Sequence, residues 1–245
     1  MTGRTTLILL TMFFFCACAN GGGKHQEKTG QEAVPAEQVD AENYNKIGEN
    51  LQAFLSKNGA PLKGWPFKEW GWKVVGDQLE RSAKLDGEKI EGEVRKEFLS
   101  LDVVNGYGNV FGESRSKWQE RLFKSNTEYW LCGTLDVSDA LDCYVYTAVD
   151  ETVIGYRDAF ALLVKDGQAV GRFQLACEGY GDGNSLESNR ISRNTFVMSS
   201  RAIDVIDENG DNPHGYYFIR VRDDGKVSRT ERATESDFNK PSWTR

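Results

Sequence analysis

From Trp65 onward the chain is cut into short β-prone runs by six Asx-Gly pairs: Asp86-Gly87, Asn105-Gly106, Asp166-Gly167, Asp182-Gly183, Asn209-Gly210 and Asp224-Gly225. Both partners in such pairs accept the positive φ angles of tight hairpin turns, and this punctuation favours antiparallel strands joined in sequence. The pair at 166–167 is flanked by FALLVK and QAVGRFQL. Pairing across a two-residue turn there sets Val164 opposite Ala169 and Phe160 opposite Phe173. Around Asp224-Gly225, Tyr217, Ile219 and Val221 share one strand face while Arg220 and Arg222 share the other, which makes a strand with one wet side. A third, more polar hairpin is expected around Asp86-Gly87. Further strands are expected at 97–104, 127–137, 141–150 and 194–206. The fold class is mainly β, an antiparallel hairpin meander forming a barrel, a sandwich or a bent sheet, with one N-terminal helix.

That helix is expected over residues 43–58, where Tyr44, Ile47, Leu51, Phe54 and Leu55 recur at helical spacing. Gly59 follows as its stop and Pro61 prevents continuation. The spacing of Ser116 and Gln119 fits a capping box ahead of Leu122 and Phe123, so a short helix or a loop is expected there. Helices do not alternate with strands, which disfavours a parallel α/β fold. The organisation read from the sequence is a segment 1–18, a polar tether 19–42 and a single β-rich domain 43–245. The tether carries two valines and no Leu, Ile or aromatic residue between positions 20 and 42, too little apolar surface to offset the entropy of ordering it. Acidic residues outnumber basic ones 37 to 30, for a net charge of -7. With no Lys/Arg stripe to track phosphates, nucleic acid is excluded as an expected partner.

At the N-terminus, Arg4 precedes the apolar run TTLILLTMFFF and then Cys16-Ala17-Cys18-Ala19. Eleven residues are too short for a membrane-spanning helix, which needs about 20. The segment reads as a signal-peptide core. Phe15-Cys16-Ala17-Cys18 resembles the lipobox of bacterial lipoproteins, a resemblance confined to the first 18 residues. It implies that Cys18 becomes the first residue of the mature chain and carries lipid, placing the protein in the cell envelope with the membrane as a partner through its N-terminal lipid. Ala17-Cys18-Ala19 also fits small-x-small cleavage, and processing at Ala19 leaves a soluble secreted or periplasmic protein.

Of two histidines, His25 lies in the tether, and His214 sits in a turn beside Pro213. A Ser/His/Asp triad or Cys/His pair has only His214 to draw on. No HExxH, CxxC, nucleophile elbow or phosphate loop occurs, and no catalytic residue is assigned. Cys132, Cys143 and Cys177 are expected to be buried apolar thiols, the alternative being one disulfide and one free thiol. Placing a turn at Ser138-Asp139 leaves Cys132 and Cys143 diagonal, poorly set for a bridge.

Three groups of residues remain as ligand candidates. Trp70 and Trp72, in WPFKEWGW, alternate onto one strand face and serve either as core or as a stacking platform for sugar. Asp207, Asn209 and Asp211 alternate like the first oxygen ligands of a calcium loop, with a plain Asx-Gly turn as the alternative. No other cofactor is expected. Residues 178–193 read as a long Gly-, Ser- and Asn-rich loop in which Tyr180, Asp182, Asn184, Arg190 and Arg193 form a contact surface or a solvated connection. The expected function is non-catalytic binding of an envelope protein or glycan by a lipid-anchored domain. A carbohydrate-binding module and a carboxylate-based hydrolase are the alternatives.

Overall fold

The computed structural model of the protein describes residues 44–70, 72–75, 78–81, 85–105, 120, 123–150, 156–177, 184–202, 214–230 and 232–243. Residues 40–245 form one compact unit. Its elements are α1 (Glu49–Asn58), a short 3-10 turn (Pro66–Glu69), β1 (Trp72–Val75), β2 (Gln78–Arg81), β3 (Glu88–Ile90), α2 (Gly92–Ser100), α3 (Asp102–Asn105), β4 (Glu128–Thr134), β5 (Asp142–Asp150), β6 (Tyr156–Lys165), β7 (Gln168–Cys177), β8 (Asn184–Ser192), β9 (Thr195–Ala202), β10 (His214–Val221), β11 (Val227–Thr230) and α4 (Glu235–Phe238).

The nine strands from β3 to β11 lie side by side in chain order, every pair antiparallel. The meander read from the turn chemistry is therefore the fold. The sheet is open, with β3 and β11 as its edges. Between β7 and β8 the register has the single pair Cys177↔Leu186, whereas β5 and β6 align over nine pairs. The ladder is thinnest there, and the sheet bends so that β3–β7 and β8–β11 face one another. One core fills the bend, with Val145, Leu163 and Phe173 from the first half meeting Phe196, Met198 and Ile219 from the second. The Phe173 and Phe196 rings lie 5.1 Å apart.

Alternation on β5 and β6 sends the intervening residues Tyr146, Phe160 and Leu162 to a second core, closed by Ile47, Leu51 and Leu55 and by Phe98 and Leu101. Both faces of the central strands are thus buried, which is why FALLV reads as an unbroken apolar run.

The β6–β7 hairpin turns at Asp166 (φ 49°) and Gly167 (φ 71°), the paired left-handed angles of a type I′ turn. Val164 faces Ala169 as its length requires, but Phe160 faces Gln174 and Phe173 faces Ala161. The ladder shifts between Leu163 and Val164 because Val170 is bulged out. Gly171 then sits against β10–β11, where a Cβ would lie 2.6 Å from the Gly225 carbonyl oxygen. Gly167 has open space around it, so Gly167→Val is expected to cost only the left-handed conformation, about 1–2 kcal/mol. Chemical denaturation checks this, and an unchanged midpoint would contradict the turn.

Other expectations are corrected. The helix begins at Glu49 rather than 43, because Lys46 forms an antiparallel bridge to Gln168 beside the β6–β7 turn: Ile47 N–H donates to the Gly167 carbonyl and Ala169 N–H to that of Asn45, at 2.9 and 2.8 Å. Residues 97–104 are the helices α2 and α3, not a strand. Glu97 reaches the N-terminus of α1, where its carboxylate accepts from Leu51 N–H at 2.7 Å and from the Asn50 amide at 2.6 Å. Gly48, the N-cap position, offers no side chain for that work, and a Cβ on it would collide with the same carboxylate. Glu97 thus satisfies the exposed amides and the positive end of α1 from a distant element.

Asp86-Gly87 is not a hairpin turn: β2 pairs with β1 in a separate two-stranded sheet and β3 joins β4. A Cβ on Gly87 would lie 2.5 Å from the Leu131 carbonyl oxygen, so this glycine serves the close approach of β3 to β4. Residues 1–42 and 116–119 lie outside the described residues.

Candidate functional site

A cleft of about 410 Å³ lies between the C-terminal end of α1 and the β4–β5 connection. Its α1 wall comprises Leu55, Ser56, Gly59 and Pro61. Residues 60–62 are pinned to β4 by two bonds of 2.9 Å, Thr134 N–H to the Ala60 carbonyl and Leu62 N–H to the Thr134 carbonyl. Opposite stand Asp136, Ser138, Asp139, Asp142 and Tyr144. The β4–β5 turn falls at Asp139 and Ala140, closed by the bridge Ser138↔Leu141. The ladder shifts between Leu131 and Gly133. Cys132 is the bulged residue, so Gly133 instead of Cys132 faces Val145, displacing the register expected from a turn at Ser138-Asp139.

Two arginines hold this connection. Arg193 donates to one carboxylate oxygen of Asp136 through Nε at 2.9 Å and a terminal nitrogen at 2.6 Å, and also pairs with Asp139. These bonds, the one to Asp139 first, raise the Arg193 pKa. Arg190 donates to the Asp136 and Arg193 carbonyls. Burial lowers its pKa, offset by nearby Cys143 and Asp136. Asp142 stands exposed at the start of β5. Tyr144 has its pKa raised, first by burial and then by Asp142. The cleft thus carries carboxylates, hydroxyls and a phenol: an acceptor-rich lining that suits a ligand bringing hydrogen-bond donors and positive charge.

The expected loop 178–193 is strand from residue 184 onward. Arg190 is 6% exposed, its guanidinium 4.3 Å from the centre of the Trp243 ring. It is a clamp within the fold, not a side chain on an adaptable loop, because its donors are taken by backbone carbonyls. Arg193 lies at the β8–β9 turn beside the cleft. Trp70, 6% exposed, packs on Phe67 and donates its indole N–H to the Arg157 carbonyl at 3.1 Å, leaving no face for a sugar ring. Trp65, half-buried, donates to the Ser188 carbonyl at 2.6 Å. Trp72 lies in β1 and Asn184 opens β8, and the side chains of both lie outside the described residues, as do Tyr180, Asp182, Asp207, Asn209, Asp211 and Cys18.

Cys132, Cys143 and Cys177 are free thiols. Burial pushes the Cys143 thiol up to about 12, so it is un-ionised at neutral pH and a poor nucleophile. Among the described residues no group of three His, Cys, Asp or Glu side chains is placed to hold a metal ion. The cleft is not among the surfaces expected from the sequence, although it has a local signal: Asp136, Asp139 and Asp142 recur every third residue across a strand–turn–strand junction. The chain matches no protein-family model, no curated protein and no solved structure.

Proposed function

We propose that this chain is a lipid-anchored protein of the bacterial cell envelope whose bent β-sheet domain binds, without catalysis, a donor-rich cationic ligand in the cleft beside α1. The observation that carries the binding reading is the cleft itself, a concavity of about 410 Å³ lined by Asp136, Ser138, Asp139, Asp142 and Tyr144. Arg193 holds the part-buried Asp136 carboxylate by two bonds, so that acceptor is set before a ligand arrives and ordering it costs little on binding. Asp142 adds an exposed charge at the rim. Amino sugars and lysine-rich peptides both carry the matching ammonium and N–H or O–H donors.

The test is calorimetric titration of the full-length chain with a glucosamine trisaccharide and with trilysine. At least one is expected to bind, and Asp142→Asn to weaken it roughly tenfold through loss of a charge-assisted bond. Binding of neither probe, or equal binding by Asp142→Asn, would refute the assignment.

The anchor rests on Cys18 and its lipobox-like surroundings. Cys18→Ala is expected to move the protein from the membrane fraction to the soluble one. An inhibitor of the lipoprotein signal peptidase should also accumulate a larger precursor. Unchanged fractionation of Cys18→Ala would contradict lipidation.

A further inference from the structure

The C-terminal residues 234–243 lie against β8 and β9. Thr234 and Asp237 form a reciprocal capping box on α4, whose Phe238 packs on Tyr216 with ring centres 6.0 Å apart. Beyond α4, Asn189, fully buried in β8, donates to the carbonyls of Phe238 at 2.6 Å and Lys240 at 2.7 Å and accepts from the Ser242 hydroxyl at 2.7 Å. A buried amide with three bonds to one short segment fixes that segment's register. The segment ends on Arg190: Trp243 N–H donates to its carbonyl at 2.6 Å, and the Trp243 ring lies 4.3 Å from its guanidinium, on which the Phe196 ring also bears at 6.0 Å.

Arg190 is the residue that donates to the Asp136 carbonyl in the cleft wall. A chain of direct contacts therefore runs from the C-terminus to the cleft, from Trp243 to Arg190 to Asp136, with Arg193 bridging Asp136 and Asp139. We propose that residues 240–243 are a strap that, by stacking Trp243 on Arg190, holds the β4–β5 connection in its cleft-forming position, so that anything drawing the strap away loosens the cleft. Trp243 and Arg190 are positioning residues here. The indole face, with the Phe196 ring and the Arg193 carbonyl, holds the guanidinium in the rotamer that reaches Asp136. The connection keeps other ties, Arg193 to Asp136 and Asp139 and Ser138 Oγ to the Asp223 carboxylate at 2.6 Å, so loss of the strap loosens it locally without unfolding the sheet. The regulatory meaning rests on reading the cleft as the binding site, while the coupling itself is measurable without any ligand.

The experiment is amide hydrogen exchange by mass spectrometry on the full-length chain, comparing wild type with Trp243→Ala and Trp243→Phe. Peptides covering 135–143 are expected to exchange at least fivefold faster in Trp243→Ala and at the wild-type rate in Trp243→Phe, with peptides from β6 and β7 unchanged. A second readout is thiol labelling in a Cys132→Ser, Cys177→Ser background, followed by mass spectrometry on the peptide that carries Cys143, where this buried thiol becomes reactive at least fivefold faster with Trp243→Ala. Acceleration below fivefold in both readouts, or acceleration of equal size in β6 and β7, overturns the proposal. The titrations above report on ligand binding and leave these rates untouched, so failure of one reading is distinguishable from failure of the other.

Discussion

Phe98→Ala is expected to destabilise the domain by about 3–5 kcal/mol, the range for emptying a buried aromatic site. Phe98 is 1% exposed and meets Tyr146 edge-on at 4.9 Å and Tyr129 at 5.4 Å. Tyr146 stacks on Phe160 at 5.3 Å, so the ring is the point at which α2 joins the aromatic row on the outer face of β4–β6. The closely packed core relaxes only in part. Urea denaturation followed by far-ultraviolet circular dichroism gives the value. A loss below about 1 kcal/mol would mean that α2 does not pack on the sheet through this residue.

Gly133→Ala is the second large effect, expected at about 2–5 kcal/mol from left-handed strain and overpacking together. Gly133 has φ +148°, and a Cβ there would lie 2.8 Å from the Ala60 carbonyl oxygen and 3.1 and 3.2 Å from the Leu62 nitrogen and Cα. All three are backbone atoms, so no side-chain rotation relieves the clash. The substitution must push residues 60–62 off β4, breaking the two bonds to Thr134 and displacing the Pro61 wall of the cleft. Its cost should therefore exceed that of Gly167→Val, where the angle is also positive but the space is open. An equal or smaller cost, measured in the same denaturation series, would show that residues 60–62 do not lie against β4.

Hairpins were legible wherever the turn fixed its own geometry. Asp166-Gly167 and Asp224-Gly225 both lie in local turns, of two residues (166–167) and three (223–225), and β6–β7 and β10–β11 follow from them. The displaced registers came from bulges at Val170 and Cys132, each dictated by a neighbour distant in sequence: the β10–β11 turn presses on Gly171, and residues 60–62 press on Gly133. Asp86-Gly87 misled for the same reason, since its glycine answers to the Leu131 carbonyl across the sheet. The α2–α3 region, with Phe98-Leu99 and Val103-Val104 as adjacent apolar pairs, matches strand and helix periods about equally well. What decides it is the contact of Phe98 with Tyr146 and of Glu97 with the start of α1, neither visible locally.

The cleft was hidden more deeply. Its two walls come from α1 and from the β4–β5 connection, about 80 residues apart in sequence, and the arginines that organise it were read as loop residues. Arg190 looked like a free hand for a carboxylate because a polar run with glycines does not announce a strand. Burial on β8, between Phe196 and Trp243, turns the same guanidinium into a structural clamp. Only Asp136, Asp139 and Asp142 were recognisable in advance as a group, and their three-residue spacing spans a turn whose shape the bulge at Cys132 determines.

The most direct test of the binding reading is a two-dimensional amide-resonance titration of the isotope-labelled full-length chain with the glucosamine trisaccharide and with trilysine. Shifts are predicted for residues 55–61 and 134–144, the two walls of the cleft, and to shrink in Asp142→Asn. Shifts confined to other segments, or none with either probe, would contradict the account.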